Sequence, residues 1–206
     1  MGKLIFNYST MGSGKTMDLL RTAYNYDMRN RKILVMKPSI DTKAGNMIET
    51  RIGLRREVDI LVDKDDVIFN ILFERVDSVR CIFVDEAQFL TKRQVYHLFI
   101  VSKSLDIPVI CYGLRTDFRG NLFEGSSALM AYADELNEFK NNCSICDSMA
   151  RFNSRRVNNM YVTDGDEVVI DGTENVEYVP LCGDCFVKEV ARIDYDKVKK
   201  YVKKMR

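Results

Sequence analysis

The stretch KLIFNYSTMGSGKTMDLLRTAYNYDMRNR, residues 3–31, decides how the fold is read. It opens on a short apolar run, KLIFNY (3–8), suited to a buried strand. It closes on residues 15–31, where Leu19, Ala23 and Tyr26 recur at helical spacing. Between them lies STMGSGKT, residues 9–16, which follows the pattern G-x-x-x-x-G-K-[ST] except at its first position. That pattern bends the backbone so that successive N–H groups face an anion. Ser9, Thr10, Met11, Gly12, Ser13, Gly14, Lys15 and Thr16 are therefore read as a phosphate cradle. Gly14 allows close approach, Lys15 reaches the outer phosphates, Thr16 can hold magnesium, and the following helix adds its positive end. Ser9 stands where the first glycine belongs. Its cost depends on whether that residue needs a positive φ, and Gly12 supplies freedom nearby. A plain turn between strand and helix is the competing reading. The order of strand, loop, Lys-Thr and helix argues against it.

Working outward, KILVMKP (32–38), CIFVDE (81–86) and IPVICYGL (107–114) are further apolar strands, with a helix between the last two. Continuous apolar strands alternating with helices predict a parallel sheet covered on both faces, an α/β fold of the P-loop kind. Residues 41–66 are expected to form a helix and a loop. After about residue 139 the texture changes to Asn, Asp, Gly and Cys, so three parts are expected: a nucleotide-binding domain over 1–139, a small cysteine-built domain over 140–190, and a basic helix over 191–206.

The chain has 206 residues, 46% of them apolar, which suffices for a real core. With 31 basic and 30 acidic residues the net charge is +1, so there is no global attraction to nucleic acid or anionic membrane. The start is too short and polar for a signal peptide, and no apolar run reaches membrane-spanning length. A cytoplasmic protein is expected. The single histidine, His97, falls in an amphipathic helical pattern and reads as structural. Cys81 and Cys111 sit in apolar runs and read as core.

A phosphate loop needs an acidic partner at the end of a neighbouring strand. CIFVDE supplies Asp85, which can hold magnesium, and Glu86, which can take a proton from the attacking nucleophile. If that nucleophile is water the chain is an ATPase; if it is a sugar hydroxyl, a kinase. Two Cys-x-x-Cys pairs, Cys143/Cys146 and Cys182/Cys185, supply a full tetrahedral shell for a structural zinc ion.

Taken together, STMGSGKT, DEAQFL, CYGLRTDFRGNLF and the cysteine pairs enclosing EVVIDGTENVEYVPLC resemble the zinc-containing, P-loop thymidine kinases, particularly the bacterial members. The resemblance covers nearly the whole chain. It implies transfer of the ATP γ-phosphate to the 5′-hydroxyl of thymidine, and of deoxyuridine, in nucleotide salvage. By position it makes Glu86 the general base and Thr16 and Asp85 the magnesium residues, with Gln88 also among the ATP contacts. Met11, Asp41, Phe89, Leu114, Phe118 and Phe123 would line the substrate, with Asp41 corresponding to an acidic residue near the phosphate site, and Arg51 is a weaker match. The segment between the cysteine pairs resembles the family's lasso, a loop closing over the nucleoside, with Val169 and Ile170 leading in and Tyr178 packing on the substrate. The resemblance further implies a homotetramer and feedback inhibition by thymidine triphosphate. Two features depart from the family: Ser9, and IDGTENVEY, which loses a glycine and lengthens the path to Tyr178. A zinc-ribbon P-loop ATPase acting on nucleic acid and a non-catalytic nucleotide-binding scaffold are the other functions weighed. The balanced charge counts against the first and the retained acidic pair against the second.

Overall fold

The computed structural model describes residues 1–42, 44–166, 175–193 and 203. The chain divides by its contacts into two units: residues 1–115 with 122–139, and residues 116–121 with 140–206. The excursion 116–121 thus groups with the cysteine-bearing part of the chain.

The first unit contains β1 (Leu4–Ser9), α1 (Lys15–Asp27), β2 (Ile33–Pro38), β3 (Met47–Glu49), β4 (Arg55–Glu57), β5 (Ile60–Val62), α2 (Ile68–Phe73) and β6 (Cys81–Val84). A 3-10 turn (Ala87–Phe89), α3 (Lys92–Ser104), β7 (Val109–Leu114), α4 (Glu124–Tyr132) and β8 (Glu135–Glu138) complete it. Six strands form one sheet in the order β5-β2-β6-β7-β1-β8, and every pairing in it is parallel.

The reason is visible in the strand sequences. Side chains alternate between the faces of a strand. Ile33, Val35, Cys81 and Phe83 enter one apolar core with Leu19, Leu20 and Ala23 of α1. Their neighbours Leu34, Met36, Ile82 and Val84 enter a second core with residues of α2, α3 and α4, such as Leu72, Val95, Leu98 and Leu129. A run apolar at every position is what a strand buried on both faces requires. Cys81 and Cys111 are core residues, as their settings in the sequence imply.

Residues 41–66 differ from expectation. Among the described residues they hold no helix but three short strands: β3 and β4 form an antiparallel hairpin, and β5 adds to the edge of the main sheet beside β2. Thr50 closes the hairpin turn by accepting from the Leu54 N–H at 3.0 Å, and Gly53 takes φ 85° there. Three-residue strands carry too little periodicity to separate them from a helical reading.

The second unit contains β9 (Phe152–Val157), β10 (Met160–Val162), β11 (Val176–Leu181) and α5 (Gly183–Glu189). The strands form an antiparallel sheet in the order β10-β9-β11. Its apolar cluster is small: Val179, Leu181 and Val190 pack with Cys143, Cys182 and Cys185. Val169 and Ile170, and nearly all of the expected basic helix, lie outside the described residues. No helix among the described residues is long and apolar enough to cross a membrane.

Candidate functional site

Because the main sheet is parallel, the C-terminal ends of β1, β2, β6 and β7 share one edge. In such sheets ligands bind outside that edge. The loops leaving those strands in the first unit carry most of the residues singled out above.

β1 ends at Ser9, which pairs with Leu114 of β7. Ser9 is buried, and its hydroxyl donates to the Phe139 carbonyl. Its backbone is strand, and it is absent from the residues with positive φ. The left-handed turns fall instead on Gly12, at φ 74°, and Gly14, at φ 85°. Gly14 is the N-cap of α1 and offers no side chain to the helix, so the first N–H groups of α1 are not closed off by a capping side chain. Lys15 Nζ donates to the Thr10 carbonyl at 2.8 Å and to Ser13 Oγ at 3.3 Å, so its ammonium lies over the loop. A Cβ placed on Gly12 would sit 3.9 Å from Arg51 Nη1, so the hairpin of β3 and β4 brings an arginine to the same loop.

β6 ends in Asp85 and Glu86. Asp85 is 5% exposed, and its N–H donates to the Met36 carbonyl at 2.9 Å. Burial, then the Glu86 carboxylate, push Asp85 up to about 7, with Lys15 opposing them. Burial pushes Lys15 down to about 8 against the pull of Glu86 and Asp85. The three groups therefore feel one another: the phosphate loop and the acidic pair form one electrostatic site. Glu86 has φ 49° and ψ 35°, a left-handed conformation that a residue with a Cβ adopts at a cost. One oxygen of its carboxylate accepts from Gln88 Nε2. Gln88 is 2% exposed, and its Oε1 accepts from the Leu114 N–H at 3.0 Å.

At the end of β2, Asp41 pairs with Lys37 at 3.0 Å. Lys37 is 1% exposed and also donates to the Met47 carbonyl at 3.0 Å. Asp41 adds to the upward push on Asp85, so it belongs to the same cluster. Sequence reasoning missed Lys37. The signal was a lysine near the end of the apolar run ILVMKP, where a charge survives only with a partner. Phe89 and Phe123 meet edge to face at 5.7 Å, in the same unit as Leu114 and Met11.

In the second unit, Phe118 is buried in the 116–121 turn, with the Arg155 guanidinium 3.7 Å from its ring centroid. Asp117 organises that turn, accepting from the N–H groups of Arg119 and Asn121 at 2.9 and 2.8 Å. Arg119 returns its guanidinium to Asp117 at 3.0 Å. Tyr178 stands opposite Arg155 in the ladder of β11 on β9.

The four thiols of Cys143, Cys146, Cys182 and Cys185 lie within 4.8 Å of one another and could hold a metal ion. Cys146 Sγ is 3.6 Å from Cys182 Sγ and 3.7 Å from Cys185 Sγ. Four thiolates about 2.3 Å from one tetrahedral ion stand roughly 3.8 Å apart, so the donor set fits. Burial pushes Cys185 up, and thiolates this close repel unless a cation lies among them.

Comparison with known proteins places the chain in a family. A family model described as thymidine kinase matches residues 2–186. The chain is similar to the curated thymidine kinase of Streptococcus pyogenes serotype M28, at 38% identity over 183 residues, covering 88% of this chain and 95% of that protein. The thymidine kinase of Streptococcus agalactiae serotype Ia matches at the same identity and coverage. A solved structure of Pif1 helicase from Candida albicans matches at TM-score 0.40 and 16% identity, over 67% of this chain and 36% of that one, too weak a likeness to bear on function.

Proposed function

Since the chain belongs to the thymidine kinase family, we propose that it transfers the γ-phosphate of ATP to the 5′-hydroxyl of thymidine, giving thymidine monophosphate and ADP. Deoxyuridine, which differs only at the base methyl, is included in the reading. The observation that carries it is the placing of Glu86 one residue beyond Asp85, in electrostatic contact with Lys15 of the phosphate loop.

In this reading residues 9–16 cradle the phosphates of ATP, and Lys15 leaves its loop contacts to follow the charge onto the γ-phosphate. Glu86 accepts the proton of the 5′-hydroxyl as the sugar oxygen bonds to the γ-phosphorus and the bond to the bridging oxygen of ADP breaks. Thr16 and Asp85 would hold magnesium, which neutralises phosphate charge when bound. Asp85 suits that role: a buried carboxylate held up by its surroundings ionises readily once a cation arrives. Met11, Asp41, Phe89, Leu114 and Phe123 are assigned to the nucleoside from the resemblance, as are Phe118 and Tyr178 of the second unit. Zinc is the ion proposed for the four cysteines. With all four positions taken by thiolates it has no open site, so its role is structural. A homotetramer, a cytoplasmic location and inhibition by thymidine triphosphate belong to the same reading and rest on the family.

The nucleic-acid ATPase is not favoured, since the relatives matched over most of the chain are thymidine kinases. Glu86→Gln tests the assignment of the base. It should keep magnesium-ATP binding and lose thymidine phosphorylation by about 100-fold or more, the usual worth of a positioned base. Unchanged turnover would remove Glu86 from the mechanism.

A further inference from the structure

Gln88 is expected among the ATP contacts, yet its side chain is spent elsewhere. It is 2% exposed, and its amide spans two elements of the first unit. The Leu114 N–H can only donate, so the group facing it at 3.0 Å must be Oε1. That fixes the amide's orientation and turns Nε2 toward Glu86, where it donates to the carboxylate.

The surroundings are cleared for this arrangement. A Cβ on Gly113 would lie 2.7 Å from Gln88 Oε1 and 3.1 Å from the Gln88 N. A Cβ on Gly125 would lie 2.4 Å from the Ala87 carbonyl oxygen and 2.8 Å from that of Gln88. Two residues without side chains, on β7 and α4, thus leave room for the turn Ala87–Phe89 and its amide. The Leu114 carbonyl is held in turn by the hydroxyl of Ser126. Glu86 itself is left-handed and sits between the end of β6 and the turn, so neither a strand ladder nor a full helical turn orients it.

We propose that Gln88 is a positioning residue: it fixes the Glu86 carboxylate against the end of β7 and touches neither ATP nor nucleoside. The inference rests on Glu86 being the base. The hydrogen bond holds one carboxylate oxygen and leaves the other to meet the substrate hydroxyl. Displacement of a reacting group by about 1 Å costs on the order of 100-fold in rate, which sets the scale of what such a hold contributes.

The test is a double-mutant cycle in the full-length, metal-loaded protein. Gln88→Met keeps length and removes both hydrogen bonds. Gln88→Glu keeps an acceptor for the Leu114 N–H and replaces the donor to Glu86 with a like charge. Magnesium-ATP binding identifies folded variants, and the Glu variant carries the test if the Met variant does not fold. Both should lower kcat for thymidine by about 10- to 100-fold with the KM for ATP unchanged. In a Glu86→Gln background, Gln88→Met should cost nothing further. An unchanged kcat overturns the inference. So does an equal loss in both backgrounds, which would mark Gln88 as structural. If Glu86→Gln alone keeps full turnover, the base assignment has failed first, and the positioning role falls with it.

Discussion

At Ser9 the chain is still in the extended geometry of β1, paired with Leu114, and the left-handed backbone begins only at Gly12. A side chain at position 9 therefore meets no backbone penalty, and this one adds a hydrogen bond to the Phe139 carbonyl. Ser9→Gly should leave the KM for ATP unchanged and lower stability by about 1 kcal/mol, through the lost bond and the freer unfolded chain. Chemical denaturation and steady-state kinetics check both halves. A gain in ATP affinity would mean that the loop does need a glycine at its first position. Glu86 presents the opposite case, a residue with a Cβ held at positive φ in the middle of the site. Its sequence context, DEAQ after an apolar strand, gives no hint of that conformation.

Elements set where those residues stand. The turn Ala87–Phe89 carries Gln88 and Phe89 and packs against Gly125 of α4. Gly125→Ala would drive a methyl group into three backbone oxygens, those of Ala87, Leu90 and Gln88, at 2.4 to 2.8 Å. The expected result is a displaced turn: thymidine turnover falls sharply, while magnesium-ATP binding at the loop of β1 and α1 persists. Equal loss of both would place the damage in the fold at large. The long elements were legible because their patterns are long. β1, β2, β6 and β7 read as apolar runs, and α3 read as the amphipathic helical pattern around His97; its capping box of Thr91 and Gln94 is seen only in the structure. The hairpin of β3 and β4 and the edge strand β5 were misread, since three residues cannot establish a period. β8 was not read at all. Glu135, Leu136, Asn137 and Glu138 form a polar edge strand, recognisable only from its pairing with β1. In the site, the phosphate loop, the acidic pair and the four cysteines were legible because their chemistry demands fixed spacings. Lys37 and the role of the Gln88 amide were not, because they depend on contacts between residues far apart in the chain.

The whole molecule joins two units that reach stability by different means. The first has two apolar cores, one on each face of a six-stranded sheet. The second has, among its described residues, one small cluster in which three of the buried members are cysteines of the candidate metal site. With the metal ion proposed for its cysteines, such a cluster would depend on that ion more than on apolar burial. Chelation, or Cys143→Ser, should therefore abolish amide protection in β9 and β11 while the strands of the parallel sheet keep theirs. Hydrogen exchange read by mass spectrometry separates the two. Intact protection in β9 and β11 after the metal is removed would show that the cysteines are not a structural metal site.

The central claim is phosphoryl transfer to thymidine, and the products decide it most directly. Purified protein with magnesium-ATP is offered each natural deoxynucleoside separately, and the products are resolved. The account predicts thymidine monophosphate and ADP in equal amounts, with little product from deoxycytidine, deoxyadenosine or deoxyguanosine. ATP consumed with no nucleoside phosphorylated would contradict it.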